Sequence, residues 1–378
     1  MAVANKLKDA EPAAKIVYIG QRGDDFADIV ADSSYIDAVY GVSAGKFRRF
    51  YGEGIRQVLH VPTMLKNLRD VFRVIAGIWQ ARQLLKVLQP DVVFIKGGFV
   101  GVPVGLAAAN LKIPYITHDS DALPGLANRI IGRWASIHAV ALPKEVYQYL
   151  PSKTVTVGVP IVADYRRVTG ELQAVYRKQI GLPVQGRLLF IIGGGLGAQR
   201  INLAVVEALP HLLQEFPDLQ VVHAVGKANE AMIQKLYTTN LSTAEQGRVS
   251  VKGYLTDAYL YSGAADVIIT RAGATQLAEF AMQAKPCVII PNPVLTGGHQ
   301  LKNAQYLQQK QAAVLVSEAE LQENPIVLAA RVSALFKGTK SMRELSANLA
   351  TFAQPDAAQK LAKLILMQVS KTSGSNAI

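Results

Sequence analysis

The segment LLFIIGGGLGAQRINLAVVEAL (188–209) contains an apolar strand, a glycine-rich turn and a helix in immediate succession. Four glycines follow the strand, namely Gly193, Gly194, Gly195 and Gly197. Glycines leave backbone N–H groups uncovered, and the amides and dipole at a helix N-terminus stabilise a phosphate or diphosphate. A tight strand–helix turn that binds nothing is the alternative, but the cluster of glycines at a strand end favours a phosphate site.

Short β-branched and apolar runs alternate with helical segments on both sides of this unit. Most of the runs are continuously apolar, as in parallel strands that helices bury on both faces. Strands separated by helices form βαβ units, so the sequence predicts an α/β fold with parallel sheets. The strand candidates are residues 15–20, 91–96, 114–119, 137–142, 154–157, 188–194, 220–225, 249–254, 267–270, 287–291 and 313–317.

Two sheets accommodate these strands better than one, and a length of 378 residues also favours two domains. The hinge is predicted in VGVPIVADYRR (157–167), where Gly and Pro come just after a strand. A long helical stretch at 341–369 precedes a polar tail. The predicted divisions are a first α/β domain at 1–160, a second at 161–345, a C-terminal helical segment at 346–369 and a disordered tail at 370–378.

The first domain begins with a helical segment, AVANKLKDAE (2–11), which comes before the strand at 15–20. A Rossmann-like domain instead opens with a strand and a glycine-rich loop, and a helix follows them. We therefore expect the first βα unit to be missing from this chain. Either the start codon is misplaced or the domain lacks that unit.

Composition excludes several classes of protein. Hydrophobic residues make up 50% of the chain and charged residues 18%, which excludes a wholly disordered protein. The single cysteine, Cys287, excludes an intrachain disulfide and a cysteine-built zinc site, and suits a reducing compartment. The longest charge-free apolar run, 97–111, is shorter than a membrane span, and the N-terminus lacks a secretory signal. We expect a cytoplasmic protein, with contact to a membrane surface left open.

Polar residues follow two later strands. In VIITRAGATQLAEFAMQAKPCVIIP (267–291), Gly273 follows a strand, and the Glu279 carboxylate six residues later could accept hydrogen bonds from ribose hydroxyls. A solvated helical Glu is the alternative. In NPVLTGGHQLKNAQYL (292–307), three polar residues at a helix start could bind sugar hydroxyls or simply cap the helix. They are His299, Gln300 and Asn303. The six histidines are scattered without metal-binding spacing, so no metal is expected.

A second glycine-rich turn lies at 97–101, and the strand after it ends in His118, Asp119, Ser120 and Asp121. Open α/β sheets place ligands at the C-terminal edges of their strands. A His beside carboxylates could serve there as a general base. A hydrogen-bonded His at a strand end is equally compatible with these residues.

The segment 46–86 contributes +7 to the net charge of +12, because nine Lys and Arg face two acidic residues. A strongly basic chain favours polyanionic partners. Aromatic and aliphatic residues are interleaved, which suits an anionic membrane surface. A helix packed on the sheet with a solvated basic face is the alternative. Nucleic acid is a third reading, but no nucleic-acid motif accompanies the charge.

Five stretches in order along the chain resemble the MurG-type N-acetylglucosaminyltransferases of peptidoglycan synthesis. They are GGFVGVPVGLAAA (97–109), HDSDALPGLANR (118–129), GGGLGAQRIN (193–202), RAGATQLAE (271–279) and HQLKNA (299–304). The resemblance implies a GT-B fold, in which two Rossmann-like domains with parallel sheets face a cleft and a C-terminal helix crosses back to the first domain. It also implies inverting transfer of N-acetylglucosamine from UDP-N-acetylglucosamine to the muramyl 4-hydroxyl of lipid I, which gives lipid II.

The resemblance further implies that the enzyme needs no cofactor and no metal. Its acceptor would be an undecaprenyl-diphosphate-linked muramyl peptide, and it would have no nucleic-acid partner. The segment 46–86 would hold it peripherally at the anionic cytoplasmic face of the cell membrane.

The resemblance also implies roles for the residues at the matching positions. Leu255 would hold uracil through its backbone, Glu279 would bind ribose, and His299 and Gln300 would contact the sugar. The donor set is Gly193, Gly194, Gly195, Gly197, Ala198, Leu255, Arg271, Gly273, Ala274, Glu279, His299, Gln300 and Asn303. The acceptor set is Gly97, Gly98, Phe99 and Asn128, and the catalytic candidates are His118, Asp119 and Asp121.

The chain departs from the family pattern at several positions. The opening glycine-rich loop, which supplies a His to the family, is missing. Gly195 replaces a serine, Gln276 a threonine and Val162 the donor-binding arginine, while HDSD replaces HEQN. The candidates to replace that arginine are Arg166, Arg167 and Arg200. Two alternatives stay open: a related lipid glycosyltransferase with a diacylglycerol acceptor, and a catalytically impaired UDP-sugar-binding homologue.

Overall fold

The computed structural model describes residues 1–23, 30, 33–46, 61–194, 197–293 and 298–375. The chain divides into two compact units. Unit 1 comprises Met1–Val162, Val294–His299 and Gln354–Ile378, and unit 2 comprises Ala163–Pro293 and Gln300–Ala353.

Strands and helices alternate along most of the described chain. The strands are β1 (Val17–Gln21), β2 (Ala38–Val42), β3 (Val93–Ile95), β4 (Tyr115–Asp119), β5 (Ile137–Val140), β6 (Thr154–Thr156), β7 (Leu188–Ile192), β8 (Gln220–Ala224), β9 (Val249–Lys252), β10 (Val267–Thr270), β11 (Cys287–Ile289) and β12 (Val314–Leu315). The helices are α1 (Ala2–Ala10), α2 (Val61–Leu88), α3 (Gly101–Asn110), α4 (Leu126–Ile131), α5 (Gly170–Gln179), α6 (Gln199–Glu215), α7 (Glu230–Asn240), α8 (Thr243–Gln246), α9 (Ala258–Ala264), α10 (Ala274–Gln283), α11 (His299–Gln309), α12 (Glu318–Glu323), α13 (Val327–Lys337), α14 (Thr339–Ala350) and α15 (Ala357–Ser375).

The strand pairs of the described chain are all parallel. Unit 1 has a four-stranded sheet in the order β3-β4-β5-β6 and a separate pair, β1-β2. Unit 2 has a six-stranded sheet in the order β12-β11-β10-β7-β8-β9. From β7 the chain continues to β8 and β9 on one side of the sheet, and from β10 it continues to β11 and β12 on the other side. The strand order therefore reverses between β7 and β10. Open α/β sheets bind ligands at such a reversal, beyond the C-terminal ends of the strands.

The sheet of unit 2 is buried on both faces, as its continuous apolar runs predict. Leu189 and Ile191 of β7 pack into one core with α6 and α13, while Leu188 and Phe190 pack into a second core with α10. All four side chains are at most 2% exposed. This alternation fixes β7 at the centre of the unit, and with it the glycine-rich turn that follows.

The sheet of unit 1 is covered on one face by α2 and α3 and on the other by the two ends of the chain. Val3 of α1 and Leu361 and Ile365 of α15 pack with Ile116 and Ala139 of the sheet. The C-terminal helix therefore belongs to the first unit. The prediction of two α/β domains with parallel sheets and a returning C-terminal helix is confirmed.

Some elements differ from the sequence expectations. The strand β2 was not predicted, because Tyr40 is exposed and Gly41 interrupts the apolar pattern. The helical stretch predicted at 341–369 consists of two helices: α14 ends at Ala350 and α15 begins at Ala357, with Pro355 between them. Proline has no N–H to donate and restrains the residue before it, so it separates the two helices. The helix α15 extends to Ser375, beyond the segment end predicted at 369. Among the described helices, none is both long and apolar enough to cross a membrane.

Candidate functional site

The glycine-rich turn after β7 folds tightly onto the end of β8. Gly194 and Gly197 have positive φ angles of 106° and 76°, and the Gly197 N–H donates to the Gly194 carbonyl across 2.9 Å. A Cβ at Gly197 would lie 2.0 Å from the Val225 carbonyl oxygen, so only glycine fits there. Ala198 precedes α6, and no side chain caps that helix. The turn thus presents an uncapped helix N-terminus, while the predicted donor residue Gly195 lies outside the described residues.

A buried polar chain supports this turn from below. Asn202 donates its amide hydrogen to the Val225 carbonyl across 2.9 Å, and its Oδ1 accepts from His223 Nε2 at 3.2 Å. His223 Nδ1 in turn accepts from the Tyr237 hydroxyl at 2.8 Å. Burial lowers the pKa of His223 to about 3, so the ring is neutral and its tautomer is set by these two partners. The start of α6 is therefore rigidly tied to β8.

A second loop, after β10, lies beside the first. Gly273 precedes α10 without a side-chain cap. The Gln276 Oε1 atom lies 3.8 Å from the Cβ position of Gly273 and 3.9 Å from that of Gly194. Asn303 of α11 donates to the Ala272 carbonyl across 3.0 Å. The structure thus brings together predicted donor residues from three separate segments, at the C-terminal edge where the strand order reverses.

Arg271 is held in this loop by two contacts. Its Nη1 donates to the Ile290 carbonyl across 3.1 Å and lies 2.6 Å from Oε1 of Glu318. Arg200, at the start of α6, donates to the other oxygen of the same carboxylate. Glu318 was missed by the sequence analysis, because it follows β12 at a large distance in sequence from both arginines.

Glu279, the predicted ribose ligand, lies on α10 against Tyr165. Burial raises the pKa of Tyr165, and the charge of Glu279 and the hydrogen bond between the two groups raise it further. Tyr165 therefore stays protonated and donates to the carboxylate. The neighbouring ring of Tyr259 packs edge-on against Tyr165, with centroids 6.3 Å apart. Sequence reasoning missed Tyr165, which it assigned only to a hinge.

Other predicted donor residues are distributed between the two units. Leu255 is half-buried and packs against the core beneath α10, and Ala274 is the first residue of α10. Gln300 Oε1 accepts from the Asn292 N–H across 2.9 Å, so part of its amide holds the preceding turn. His299 belongs to unit 1, where its Nδ1 donates to the Leu123 carbonyl across 3.0 Å.

In unit 1, the end of β4 carries a buried polar cluster. His118 is fully buried; its Nε2 donates to the Gly158 carbonyl across 2.9 Å, and Ser120 Oγ lies 3.4 Å from its Nδ1. Burial lowers the pKa of His118 to about 4, so the ring is neutral near pH 7. Both nitrogens have partners, so accepting a substrate proton would require Ser120 to move. A catalytic role for His118 stays a prediction.

Asp119 is also buried, and its carboxylate accepts three hydrogen bonds. Gly125 N–H and Asn128 Nδ2 donate to Oδ1 across 3.2 and 2.9 Å, and the Tyr149 hydroxyl donates to Oδ2 across 2.8 Å. Burial nevertheless raises the pKa of Asp119, and these donors only partly offset it. Asp119 is thus part of the support for the turn at 120–125. Asp121, two residues further along the chain, has a side chain that is 39% exposed.

The predicted acceptor residues surround the same strand end. Gly97 and Gly98 have positive φ angles of 99° and 86°, and Asn128 Nδ2 lies 3.6 Å from the Cβ position of Gly97. Asn128 is 1% exposed, and its Oδ1 is buried without a hydrogen-bond partner in the described part of the chain. Phe99 is half-buried just before α3. The cluster leaves one polar acceptor, Asn128 Oδ1, facing the glycine turn.

Of the basic segment predicted at 46–86, Lys46 and residues 61–86 are described, the latter within α2, and residues 47–60 lie outside the described residues. Ala81 and Leu85 bury one face of α2 in the core of unit 1. The opposite face exposes a stripe of large apolar side chains, which are 51–65% exposed. They are Met64, Leu68, Phe72, Ile75 and Trp79. Packing of α2 on the core of unit 1 therefore explains its buried face, but it does not explain the apolar side chains on its exposed face.

Among the described residues, no group of three or more His, Cys, Asp or Glu side chains could hold a metal ion.

Both halves of the chain match known glycosyltransferase domains. The glycosyltransferase family 28 N-terminal domain matches residues 1–140, and the glycosyltransferase family 28 C-terminal domain matches residues 188–361. Two relatives named UDP-N-acetylglucosamine--N-acetylmuramyl-(pentapeptide) pyrophosphoryl-undecaprenol N-acetylglucosamine transferase come from Desulfitobacterium hafniense and Natranaerobius thermophilus. They are 31% and 28% identical, and each alignment covers 97% of this chain and 94% of the relative.

Solved structures share the fold. The MurG of Acinetobacter baumannii superposes with a TM-score of 0.69 at 24% identity, over 97% of this chain and 94% of that one. The UDP-GlcNAc 2-epimerase from Neisseria meningitidis, solved bound to UDP-GlcNAc, superposes with a TM-score of 0.62 at 14% identity, over 97% and 95%.

Proposed function

The chain belongs to the family of UDP-N-acetylglucosamine--N-acetylmuramyl-(pentapeptide) pyrophosphoryl-undecaprenol N-acetylglucosamine transferases, and from that membership we propose that it transfers N-acetylglucosamine from UDP-N-acetylglucosamine to lipid I, forming lipid II. The observation that carries the proposal is the pair of uncapped helix N-termini, α6 and α10, that lie side by side at the strand-order reversal of unit 2. Two such termini, with Gln276 near Gly194 and Gly273, suit the diphosphate of a nucleotide sugar.

The donor lies, in this proposal, across the C-terminal edge of unit 2. The amides of Gly193, Gly194, Gly197 and Ala198 face the diphosphate in this proposal. Glu279 accepts from the ribose hydroxyls while Tyr165 orients its carboxylate. Leu255 holds the uracil and Gln300 contacts the sugar. Helix N-termini and arginines supply positive charge to the departing UDP, so the proposal includes no cofactor.

The transfer itself is an inverting displacement. A base removes the proton of the muramyl 4-hydroxyl, whose oxygen forms a bond to C1 of N-acetylglucosamine as the C1–oxygen bond to UDP breaks. We assign the base to Asp121, because its side chain is 39% exposed at the end of β4 and lies 4.0 Å from His299 Nδ1, whereas His118 and Asp119 are buried. His118 and Asp119 then act as positioning residues for the turn that carries Asp121. Gly97, Gly98, Phe99 and Asn128 border the acceptor.

Membrane contact belongs to the same proposal. The exposed apolar stripe of α2 lies among Lys66, Arg69 and Arg73, and apolar side chains flanked by cations suit the interface of an anionic bilayer. We propose that α2 holds the enzyme peripherally at the cytoplasmic face of the cell membrane, where its polyprenyl-linked acceptor resides.

The testing experiment is a transfer assay with radiolabelled UDP-N-acetylglucosamine and a lipid I analogue, with diacylglycerol as the competing acceptor. Label transferred to the lipid I analogue supports the proposal. Transfer to diacylglycerol alone would identify another lipid glycosyltransferase, and tight UDP binding without transfer would identify an impaired homologue. This chain has a feature that would favour an impaired homologue, since the exposed Val162 stands where the family pattern has an arginine.

A further inference from the structure

Glu318 joins two arginines that come from the two loops of the proposed donor site. The carboxylate is buried, with 5% of its side chain exposed. Oε2 lies 2.5 Å from Arg200 Nη1, and Oε1 lies 2.6 Å from Arg271 Nη1. Two guanidinium groups on one carboxylate leave a net charge of +1. A buried carboxylate without a partner would destabilise the folded protein. Two arginines compensate the negative charge of Glu318 and leave one uncompensated positive charge.

The three residues lie at one edge of the sheet. Arg200 is the second residue of α6 and follows β7, Arg271 immediately follows β10, and Glu318 follows β12 as the first residue of α12. Because these strands are parallel, their C-terminal ends share an edge. The spare positive charge is thus placed at the edge where the glycine-rich turn lies.

The two arginines differ in access to solvent. The Arg271 side chain is 8% exposed and donates to the Ile290 carbonyl, so it is fixed within the loop, and burial lowers its pKa. The Arg200 side chain is 57% exposed. A guanidinium presents five N–H donors in a rigid fork, and the Glu318 contact of Arg200 runs through Nη1. The fork is therefore oriented by Glu318 through Nη1 alone.

We propose that Glu318 is a positioning residue that holds Arg200 beside the glycine-rich turn, where the Arg200 guanidinium binds the diphosphate of the nucleotide sugar. This inference rests on the proposed function and deepens it. It identifies the cation that serves the donor in a chain whose sequence has Val162 in place of the family arginine. Arg166 and Arg167 are exposed but have no such anchoring contact among the described residues.

The experiment compares calorimetric binding of UDP and of uridine by the wild type, Arg200→Ala and a matched control. UDP carries the diphosphate and uridine does not, so a role on the diphosphate affects UDP alone. We expect Arg200→Ala to weaken UDP binding by about tenfold or more, leave uridine binding unchanged and reduce the salt dependence of UDP binding. The control is Arg187→Ala, which removes the same charge from an ion pair with Asp218 at the start of β7, the opposite edge of the sheet.

Glu318→Gln tests the positioning role. We expect it to weaken UDP binding in the wild type by a few-fold, and to have a smaller effect when Arg200 is already Ala, because the loss that acts through Arg200 is then already present. Arg200→Ala keeps the Glu318–Arg271 pair, so its fold is preserved even if Glu318→Gln proves unstable.

Three results would overturn the inference. They are unchanged UDP affinity in Arg200→Ala, an equal loss for UDP and uridine, and an equal loss of UDP affinity in Arg187→Ala. In each of them wild-type binding of UDP and transfer to lipid I would still stand. A wild-type chain that binds no UDP would overturn the proposed function together with this inference.

Discussion

The Tyr149 hydroxyl donates to Oδ2 of Asp119 across 2.8 Å, while the Tyr149 ring stacks on His138 with centroids 3.8 Å apart. One side chain thus bridges two buried groups of neighbouring strands, β4 and β5. The bond is one of three that the Asp119 carboxylate accepts, and it anchors the turn that carries Asp121.

Tyr149→Phe removes this donor and keeps the ring. We expect a loss of about 1 to 3 kcal/mol in unfolding free energy near neutral pH, because the buried carboxylate keeps only two donors. The pKa of Asp119 is already raised by burial and would rise further. A carboxyl group with a raised pKa destabilises the folded state only at pH values where the group is ionised. In acid Asp119 is protonated, so the mutation should cost less unfolding free energy there. Urea unfolding at several pH values measures this.

The control for that experiment is Tyr40→Phe, at an exposed tyrosine of β2 in the same unit. A cost that is equal for both variants, or independent of pH, would show that the hydrogen bond to Asp119 is not its source.

Three buried histidines should make the protein sensitive to acid. Burial lowers the pKa of His118 and His138 to about 4 and that of His223 to about 3. A histidine whose folded pKa is depressed contributes full stability above its ordinary value near 6.5, and that stability is lost as the pH falls below it. Each of the three should lower the free energy of unfolding by about 2 kcal/mol near pH 5, and chemical denaturation measures this.

His223→Gln identifies one contribution. This variant should be less stable than the wild type at pH 8, since it loses the bond from Tyr237, but its stability should fall less between pH 8 and pH 5. His211→Gln, at an exposed position of α6, should keep the wild-type slope. Parallel slopes for all three proteins would contradict the assignment.

Glu279→Gln should weaken binding of UDP and of uridine to the same extent, by about tenfold, because ribose is common to both ligands and a neutral amide accepts weaker hydrogen bonds. Tyr165→Phe should give a smaller loss of the same kind, since it only loosens the carboxylate. Calorimetry with both ligands measures this, with Glu207→Gln on the exposed face of α6 as control. If uridine binding were unaffected, Glu279 would not be a ribose ligand.

Membrane association should depend on the apolar stripe of α2. Phe72→Ser combined with Trp79→Ser should reduce co-sedimentation with phosphatidylglycerol vesicles by at least about tenfold, because both side chains are 65% exposed and would bury in the interface. The control is Trp134→Ser, an exposed tryptophan of unit 1 outside α2. Equal losses in the two proteins, or none, would remove α2 from the membrane contact.

The apolar stripe is a better target than the arginines beside it. Asp70 is 1% exposed and lies 3.5 Å from Arg73 and 4.0 Å from Arg69. Neutralising either arginine would leave a buried carboxylate with less compensation, so a loss of binding could reflect damage to the helix itself.

The sequence predicts the strands well and the contacts between distant segments poorly. Each of the eleven predicted strands is present, because strands buried on both faces need continuous apolar runs such as Leu188–Ile192. The β2 strand escapes prediction since only Val42 of its five residues is buried. The glycine turn is likewise predictable, because Gly194 and Gly197 need positive φ angles. These features are local, and the local sequence determines them.

The supporting side chains are not local. Tyr165 meets Glu279, Tyr149 meets Asp119, and Glu318 meets Arg200 only after strands that are far apart in sequence have aligned. In none of these three pairs does the spacing of the two residues in the sequence indicate that they are in contact. Tyrosine and glutamate are also common on solvated surfaces, so the fold alone reveals these contacts.

The helix α15 completes the face of the first sheet that α1 also covers, although the whole of unit 2 lies between them along the chain. The whole of unit 2 is therefore synthesised before α15, the last helix that packs on the sheet of unit 1. We expect the second unit to reach its native state first, while Ile116 and Ala139 of the first sheet lack their contacts with α15. Proteolysis of ribosome-bound chains, in which residue 353 is followed by a linker long enough to span the exit tunnel, would show this as a resistant second unit joined to a digestible first one.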